Sequence, residues 1–247
     1  MEFPAKIPAS VLTLIAGCLG IIFTGEAAVA QCPHRGVVVD EEVSNAQGKP
    51  YQARAITTIV TYGSNGTKHT TVRKSNLLRD SRGRIRIERF YDGSENPSEL
   101  APTDIWIDDN CGTSVRLLPP WQTAKITKRA IKGPDGQYCK ETDLKNVPYT
   151  GPEGVFEYLG HRFIDGVEIR GERSTDYTSV QAKLSGAPPI HVYENWCSIS
   201  LDTPMGAYIS DDNPKRETTI VIGDIRQTEP DSALFEIPTG YKIARDQ

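Results

Sequence analysis

The stretch from Thr218 to Tyr241, TTIVIGDIRQTEPDSALFEIPTGY, restricts the fold more than any other part of the chain. Thr218 to Ile222 is β-branched at every position and too short for a helix of ordinary length, and Gly223-Asp224 ends the run with turn chemistry. Thr218, Ile220 and Ile222 share one face by period two, Thr219 and Val221 the other. A strand apolar on both faces is expected to be covered on both. Pro230 then breaks the chain, Ala233-Leu234-Phe235 supplies one short turn with two large apolar groups, and Pro238 with Gly240 stops it. The stretch therefore predicts a last strand followed by a clip in which Leu234 and Phe235 plug the sheet.

The rest of the chain repeats the same signal. Ile56, Thr58, Val60 and Tyr62 alternate with Ala55, Thr57, Ile59 and Thr61, and Asn65-Gly66 follows as a hairpin turn. Asn65-Gly66-Thr67 is also a glycosylation sequon, which the turn explains fully. His69 to Leu78 returns, Asp80-Ser81-Arg82-Gly83 turns again, and Arg84 to Tyr91 makes a third strand. The arginines 79, 82, 84, 86 and 89 read as a solvated outer face paired with acidic residues, or alternatively as an anion site. Ile105-Trp106-Ile107 turns at Asp108 to Gly112 into Thr113 to Leu118, and Trp121 to Ile131 follows as a further strand. Residues 133–154 are rich in Gly, Pro and Asp and predict a long connection. Strands then resume at Val155 to Phe163, Val167 to Tyr177, Ile190 to Ser200 and Met205 to Ser210. No amphipathic helix of three or more turns is evident, so strand is expected to exceed helix by a wide margin.

The N-terminus reads as an export signal. Lys6 precedes an apolar stretch from Val11 to Phe23, and Ala28-Val29-Ala30 is an A-x-A cleavage site. That stretch, about thirteen residues, is short of the roughly 20 a membrane span needs, so no transmembrane span is expected in the mature chain. Ile15-Ala16-Gly17-Cys18 resembles a lipoprotein cleavage box, and lipid anchoring at Cys18 is the alternative. Removing residues 1–30 takes away Glu2, Lys6 and Glu26 and moves the formal charge from −4 to −3. With charges of both signs interspersed, nucleic acid is an unsuitable partner. The expected organisation is a signal peptide at 1–30, an irregular arm at 31–50 and a single β-rich domain at 51–247.

Four cysteines remain after cleavage, Cys32, Cys111, Cys139 and Cys197. An even count in an exported chain predicts two disulfides with three connectivities. Cys111 with Cys139 and Cys32 with Cys197 is the favoured pairing, because the first closes the central segment and the second ties the arm to the sheet. Each is expected to contribute about 3 to 5 kcal/mol.

No GxSxG, HExxH, Walker or GxGxxG motif is present, and the four histidines are scattered. No catalytic residue, metal ligand or cofactor is assigned. His191 and Glu194 are the nearest approach to an acid-base couple, but period two puts them on opposite faces. What remains is aromatic surface. Trp106, Trp121, Tyr158, Tyr193 and Trp196 all fall on predicted strands and are the candidate ligand-binding residues; ordinary core packing is the competing explanation for each.

The closing segment, with Gly223-Asp224-Ile225, Glu229-Pro230-Asp231, Leu234-Phe235 and Pro238-Thr239-Gly240-Tyr241, resembles the C-terminal signature of the LolA-like superfamily of outer-membrane lipoprotein carriers and related lipid-binding proteins. Leu159-Gly160, Ile164-Asp165-Gly166-Val167, Gly171-x-Arg173-x-Thr175, Glu194-x-Trp196, Arg79-Asp80-Ser81-x-Gly83-Arg84 and the stretch from Leu117 to Ala124 look like a set of uncharacterised exported bacterial proteins sharing that ending. The resemblance spans most of residues 50–243. It implies a mainly β fold, a curved antiparallel sheet or half-barrel with little helix, whose concave face receives an apolar ligand, a lipid or a lipoprotein acyl chain. The expectation is thus a non-catalytic binding protein of the periplasm or envelope. An envelope protein-interaction or stress-sensing module with a protein partner is the first alternative, an enzyme of unrecognised type the second.

Overall fold

The computed structural model describes residues 36–39, 42–45, 49–90, 101–109, 111–128 and 151–245. The chain divides into residues 1–30 and residues 31–247, and only the second unit is described here. The proposed signal segment, Cys18, Cys32 and Cys139 lie outside the described residues, as does most of the predicted connection at 133–154. Within residues 31–50, expected to be irregular, β1 (Gly36–Val39) and β2 (Glu42–Asn45) form an antiparallel hairpin. The Val37-Val38-Val39 run supplies the β-branched residues this needs.

The remaining strands form one mainly β sheet of twelve. In chain order they are β3 (Tyr51–Tyr62), β4 (Lys68–Arg79), β5 (Ile85–Phe90), β6 (Asp104–Asp108), β7 (Thr113–Leu118), β8 (Thr123–Lys128), β9 (Gly154–Ile164), β10 (Val167–Asp176), β11 (His191–Ser198), β12 (Thr203–Asp212), β13 (Lys215–Arg226) and β14 (Lys242–Arg245). The order across the sheet is β14-β8-β7-β6-β5-β4-β3-β13-β12-β11-β10-β9. Two meanders, β3 to β8 and β9 to β13, are joined where β13 pairs antiparallel with β3 through Thr219–Thr58, Ile220–Thr57 and Val221–Ile56. The run expected to be the last strand is therefore the seam of the sheet. β14 follows it and pairs parallel with β8. This order also explains a long connection between β8 and β9, which stand near opposite ends of the sheet. The described helix is a single short one, α1 (Val180–Leu184), with Ser179 Oγ accepting from Ala182 N at 3.1 Å.

Turn chemistry sets the registers. At the β3–β4 turn Gly66 has φ +79°, a left-handed conformation that glycine adopts without steric cost, and Asn65 Oδ1 accepts from Thr67 N at 3.0 Å. At the β6–β7 turn Asp109 Oδ1 accepts from Cys111 N and Thr113 N at 2.7 and 2.8 Å. That is the role of an Asp in a tight turn rather than of a cation ligand.

The sheet is open but curled. Ile225 N donates to Asp165 Oδ2 at 2.9 Å, tying the β9–β10 turn to β13, and Arg79 Nη2 donates to the Leu201 carbonyl at 2.5 Å, tying β4 to the β11–β12 turn. Strands three places apart in a flat sheet are separated by roughly 14 Å. Bulges at Gly171/Glu172, at Trp196/Cys197 and between Gly223 and Arg226 supply the bending.

The main core contains Tyr51, Ala53 and Ala55 of β3, Leu77 of β4, Ile85 and Ile87 of β5, and Ile220 and Ile222 of β13, with Ile169, Leu201 and Met205 fully buried beside them. A second cluster occupies the opposite face toward β8: Leu78, Ile105, Ile107, Leu117 and Ala124, closed by Phe235. Phe235 ends a 3-10 turn, Ser232–Phe235, capped by Asp231 Oδ1 accepting from Ala233 N at 3.0 Å. The predicted plug is present. Trp106 points away from Ile105 and Ile107 and packs against the main core instead.

The arginine run does not form a solvated face. Arg79, Arg86 and Arg89 are buried. Arg84 Nε meets Asp80 Oδ2 at 2.7 Å while its Nη1 reaches Glu236 Oε1 at 3.0 Å, and its guanidinium lies 4.7 Å from the Phe235 ring centre. Arg86 donates to the Leu234 carbonyl and to Glu88. These side chains clip the C-terminal plug to β5, a use that depends on carbonyls and carboxylates about 150 residues away in sequence.

Candidate functional site

On β13, Val221 is 56 % exposed, and its cross-strand partner Ile56 is 46 % exposed. The second face of this strand, expected to be covered, is open among the described residues. The reason is positional. The C-terminal plug covers that face only from β4 to β8, while Val221 and Ile56 stand beyond its reach at the seam.

Register carries this face across eight strands. Phe90 pairs with Lys74, Lys74 with Ile56, Ile56 with Val221, Val221 with Gly206, Gly206 with Trp196, Trp196 with Gly171 and Gly171 with Gly160. Side chains in one such row stand on one face. At its seam end the row opens as a groove of about 380 Å³, floored by Ile56, Val221 and Phe90 and bordered by Arg54, Lys74 and Asp224. Arg54 Nη1 meets Asp224 Oδ2 at 3.2 Å, with both side chains more than half exposed. A smaller groove of about 220 Å³, with Gln52, Asn76, Glu88 and Arg226 among its lining, continues beside it toward Leu234.

At the other end of the row Trp196 lies flat on Gly171. An added Cβ there would sit 2.7 Å from the indole ring, closer than any side chain allows. Arg162 of β9 covers the other face of the indole, its guanidinium 3.8 Å from the ring centre. Trp196 Nε1 donates to Glu194 Oε1 at 2.6 Å, and Arg173 donates to Glu194 Oε2 at 2.7 Å. Burial pushes the Glu194 carboxyl up, but hydrogen bonds from Trp196 and Arg173 and the charges of Arg173 and Arg162 outweigh it. The carboxyl is held below the usual value of 4.5, so Glu194 is an ionised brace for the indole at neutral pH.

The five aromatics marked from sequence do not come together. Trp106, Tyr158 and Tyr193 lie on β6, β9 and β11; Trp196 stands on the other side of β11 from Tyr193 and, like Trp106, packs against the main core. Trp106 donates to Asp104 Oδ2 at 3.2 Å and carries Arg116 over its ring at 5.0 Å. Tyr158 meets His161 edge-on at 5.7 Å. Trp121, expected on a strand, sits in the 3-10 turn Pro119–Trp121 and is 68 % exposed; β8 begins at Thr123 because Pro119-Pro120 cannot continue a ladder. The residues sequence reasoning missed are Ile56, Val221, Phe90 and Arg162. Their alternation was visible, but their meeting requires the register of β3, β13 and β5.

His191 and Glu194 are kept apart. His191 Nδ1 is 2.7 Å from Asp211 Oδ1 across the β11–β12 pair, while Glu194 is committed to Trp196 and Arg173. Among the described residues no group of three or more His, Cys, Asp or Glu is placed to hold a metal, and no helix is long and apolar enough to cross a membrane. Cys111 and Cys197 are half-cystines.

No protein-family model matches the chain, and no curated protein matches it. Among solved structures it is similar to an uncharacterised conserved protein from Thermus thermophilus, at 10 % identity over 81 % of this chain and 93 % of that one, TM-score 0.43. It is similar to a chain of the MucA/MucB complex of Pseudomonas aeruginosa, at 9 % identity, 77 % of this chain and 56 % of that one, TM-score 0.40. A LolA superfamily protein from Nitrosomonas europaea gives 10 % identity, 76 % and 90 % coverage, and TM-score 0.34. These values describe a distant likeness of sheet architecture.

Proposed function

We propose that this chain is an exported, non-catalytic binding protein that holds the apolar part of a lipid or similar amphiphile on the open face of its sheet. The observation that carries the reading is the groove over Ile56, Val221 and Phe90, whose volume of about 380 Å³ is within the range of small-ligand sites. The main core face is filled by its own side chains, from Tyr51 to Met205, so a guest there would have to displace them. The opposite face needs no such rearrangement. Its apolar floor offers burial to a chain, and its charged border keeps the groove wetted when empty.

Export fits the apolar stretch and A-x-A site before Gln31, with the envelope or periplasm as destination. For the half-cystines Cys111 and Cys197 we infer Cys139 and Cys32 as respective partners.

The test is a titration with a fluorescent, uncharged acyl probe such as the methyl ester of cis-parinaric acid. Wild-type protein should bind it, and Val221→Asp should weaken binding about tenfold or more, since a desolvated carboxylate is costly on an apolar floor. Val221 is exposed, so stability should change little. Equal affinity in both proteins would remove the groove from the account.

A further inference from the structure

The groove ends on a feature that apolar binding does not explain. Arg162 is exposed, yet its guanidinium is held flat against Trp196. That seat takes three residues from two strands to build: Gly171 admits the indole, and Glu194 and Arg173 brace its edge, while Arg162 Nη2 lies over Gly206 of the next strand. Glu194 is the acidic group nearest to hand, but its two oxygens are taken by Trp196 and Arg173. Arg162 therefore makes no ion pair among the described residues, although its charge acts on Glu194, and its exposed guanidinium lies over Gly206. A guanidinium fixed by stacking, with its donors unused, is prepared for bidentate contact with a carboxylate or phosphate.

The position matters as much as the chemistry. Trp196 and Gly206 continue the cross-strand row that forms the groove floor, and three strand spacings, roughly 14 Å, separate Trp196 from Ile56. Glycine at 206 leaves the path between them low. We propose that Arg162, stacked on Trp196, takes the anionic head group of an amphiphile whose tail lies over Val221 and Ile56. This rests on the groove reading above and adds the class of ligand to it: a single-headed lipid with a carboxylate or phosphate.

Four proteins and two probes test it. Wild type, Arg162→Gln, Arg162→Lys and Val221→Asp are titrated with cis-parinaric acid and with its methyl ester. Arg162→Gln should lose about tenfold in affinity for the acid, the value of one charge-assisted contact at an exposed site, and keep its affinity for the ester. Arg162→Lys should lie between, because it keeps the charge without the planar fork. Added salt should weaken only the acid. If Arg162→Gln binds both probes as wild type does while Val221→Asp weakens both, the head-group assignment is wrong and the groove stands; if Val221→Asp changes neither, the groove itself is wrong. Inorganic phosphate, which has no tail, should not displace the acid at millimolar concentration; displacement would assign Arg162 to a free anion and overturn the proposal.

Discussion

Replacing Phe235 by Ala should cost about 3–5 kcal/mol of stability, the range for removing a buried aromatic side chain. The ring is 6 % exposed and closes the cluster of Leu78, Ile105, Ile107, Leu117 and Ala124. Its loss leaves a hole that β6 and β7 cannot fill, because their other face is committed through Trp106 to the main core. Arg84 also loses the ring over which it lies, while keeping Asp80 and Glu236. Urea denaturation read by far-UV circular dichroism measures the difference. Phe235→Leu, which keeps most of the volume, should cost appreciably less. A loss under about 1 kcal/mol for the alanine variant would mean that the C-terminal clip is an appendage rather than part of the core.

Arg79 should be almost as sensitive. It is fully buried on β4, donates through Nε and Nη2 to the Lys49 carbonyl at 3.2 and 2.5 Å and through Nη2 to the Leu201 carbonyl, and lies 4.9 Å from the Tyr51 ring centre. Burial lowers the pKa of the guanidinium, opposed by Tyr51 and by the buried Asp202. Arg79→Ala removes the cation facing Asp202 and unpairs two carbonyls, that of Lys49 before β3 and that of Leu201, which holds the β11–β12 turn against β4. Breaking a buried charged contact from one side costs about 3–5 kcal/mol. Arg79→Met separates packing from charge: it restores the volume, so a persistent loss belongs to the hydrogen bonds and the charge. If both variants unfold at the wild-type urea concentration, the tie from β4 to Leu201 does not help to curl the sheet.

Much of this architecture is legible locally. The alternation around Ile56, the Asn65-Gly66 turn and the β-branched run at Thr218 to Ile222 each specify strand or turn within a few residues, and the structure has them so. What could not be read depends on which strands become neighbours. Val221 looks the same in sequence whether a second layer covers it or not, and only the placement of β13 at the seam, outside the plug, decides the matter. Arg79 and Arg86 read as solvated because the groups that bury them are remote: Leu201 and Leu234, whose carbonyls receive them, are 122 and 148 positions away. Trp196 reads as a strand aromatic, but its seat is a glycine on the flanking strand and an arginine two strands away. Such a site is written across the sheet, and linear spacing does not record it.

Native mass spectrometry of the full-length gene product, expressed in a bacterial host and purified from the envelope fraction without detergent exchange, measures the central claim most directly. The expected spectrum shows a population heavier than the bare polypeptide by the mass of one acidic lipid, released on activation and much reduced in Val221→Asp. Protein that carries no lipid in any charge state, or that carries a bound polypeptide instead, would contradict the account.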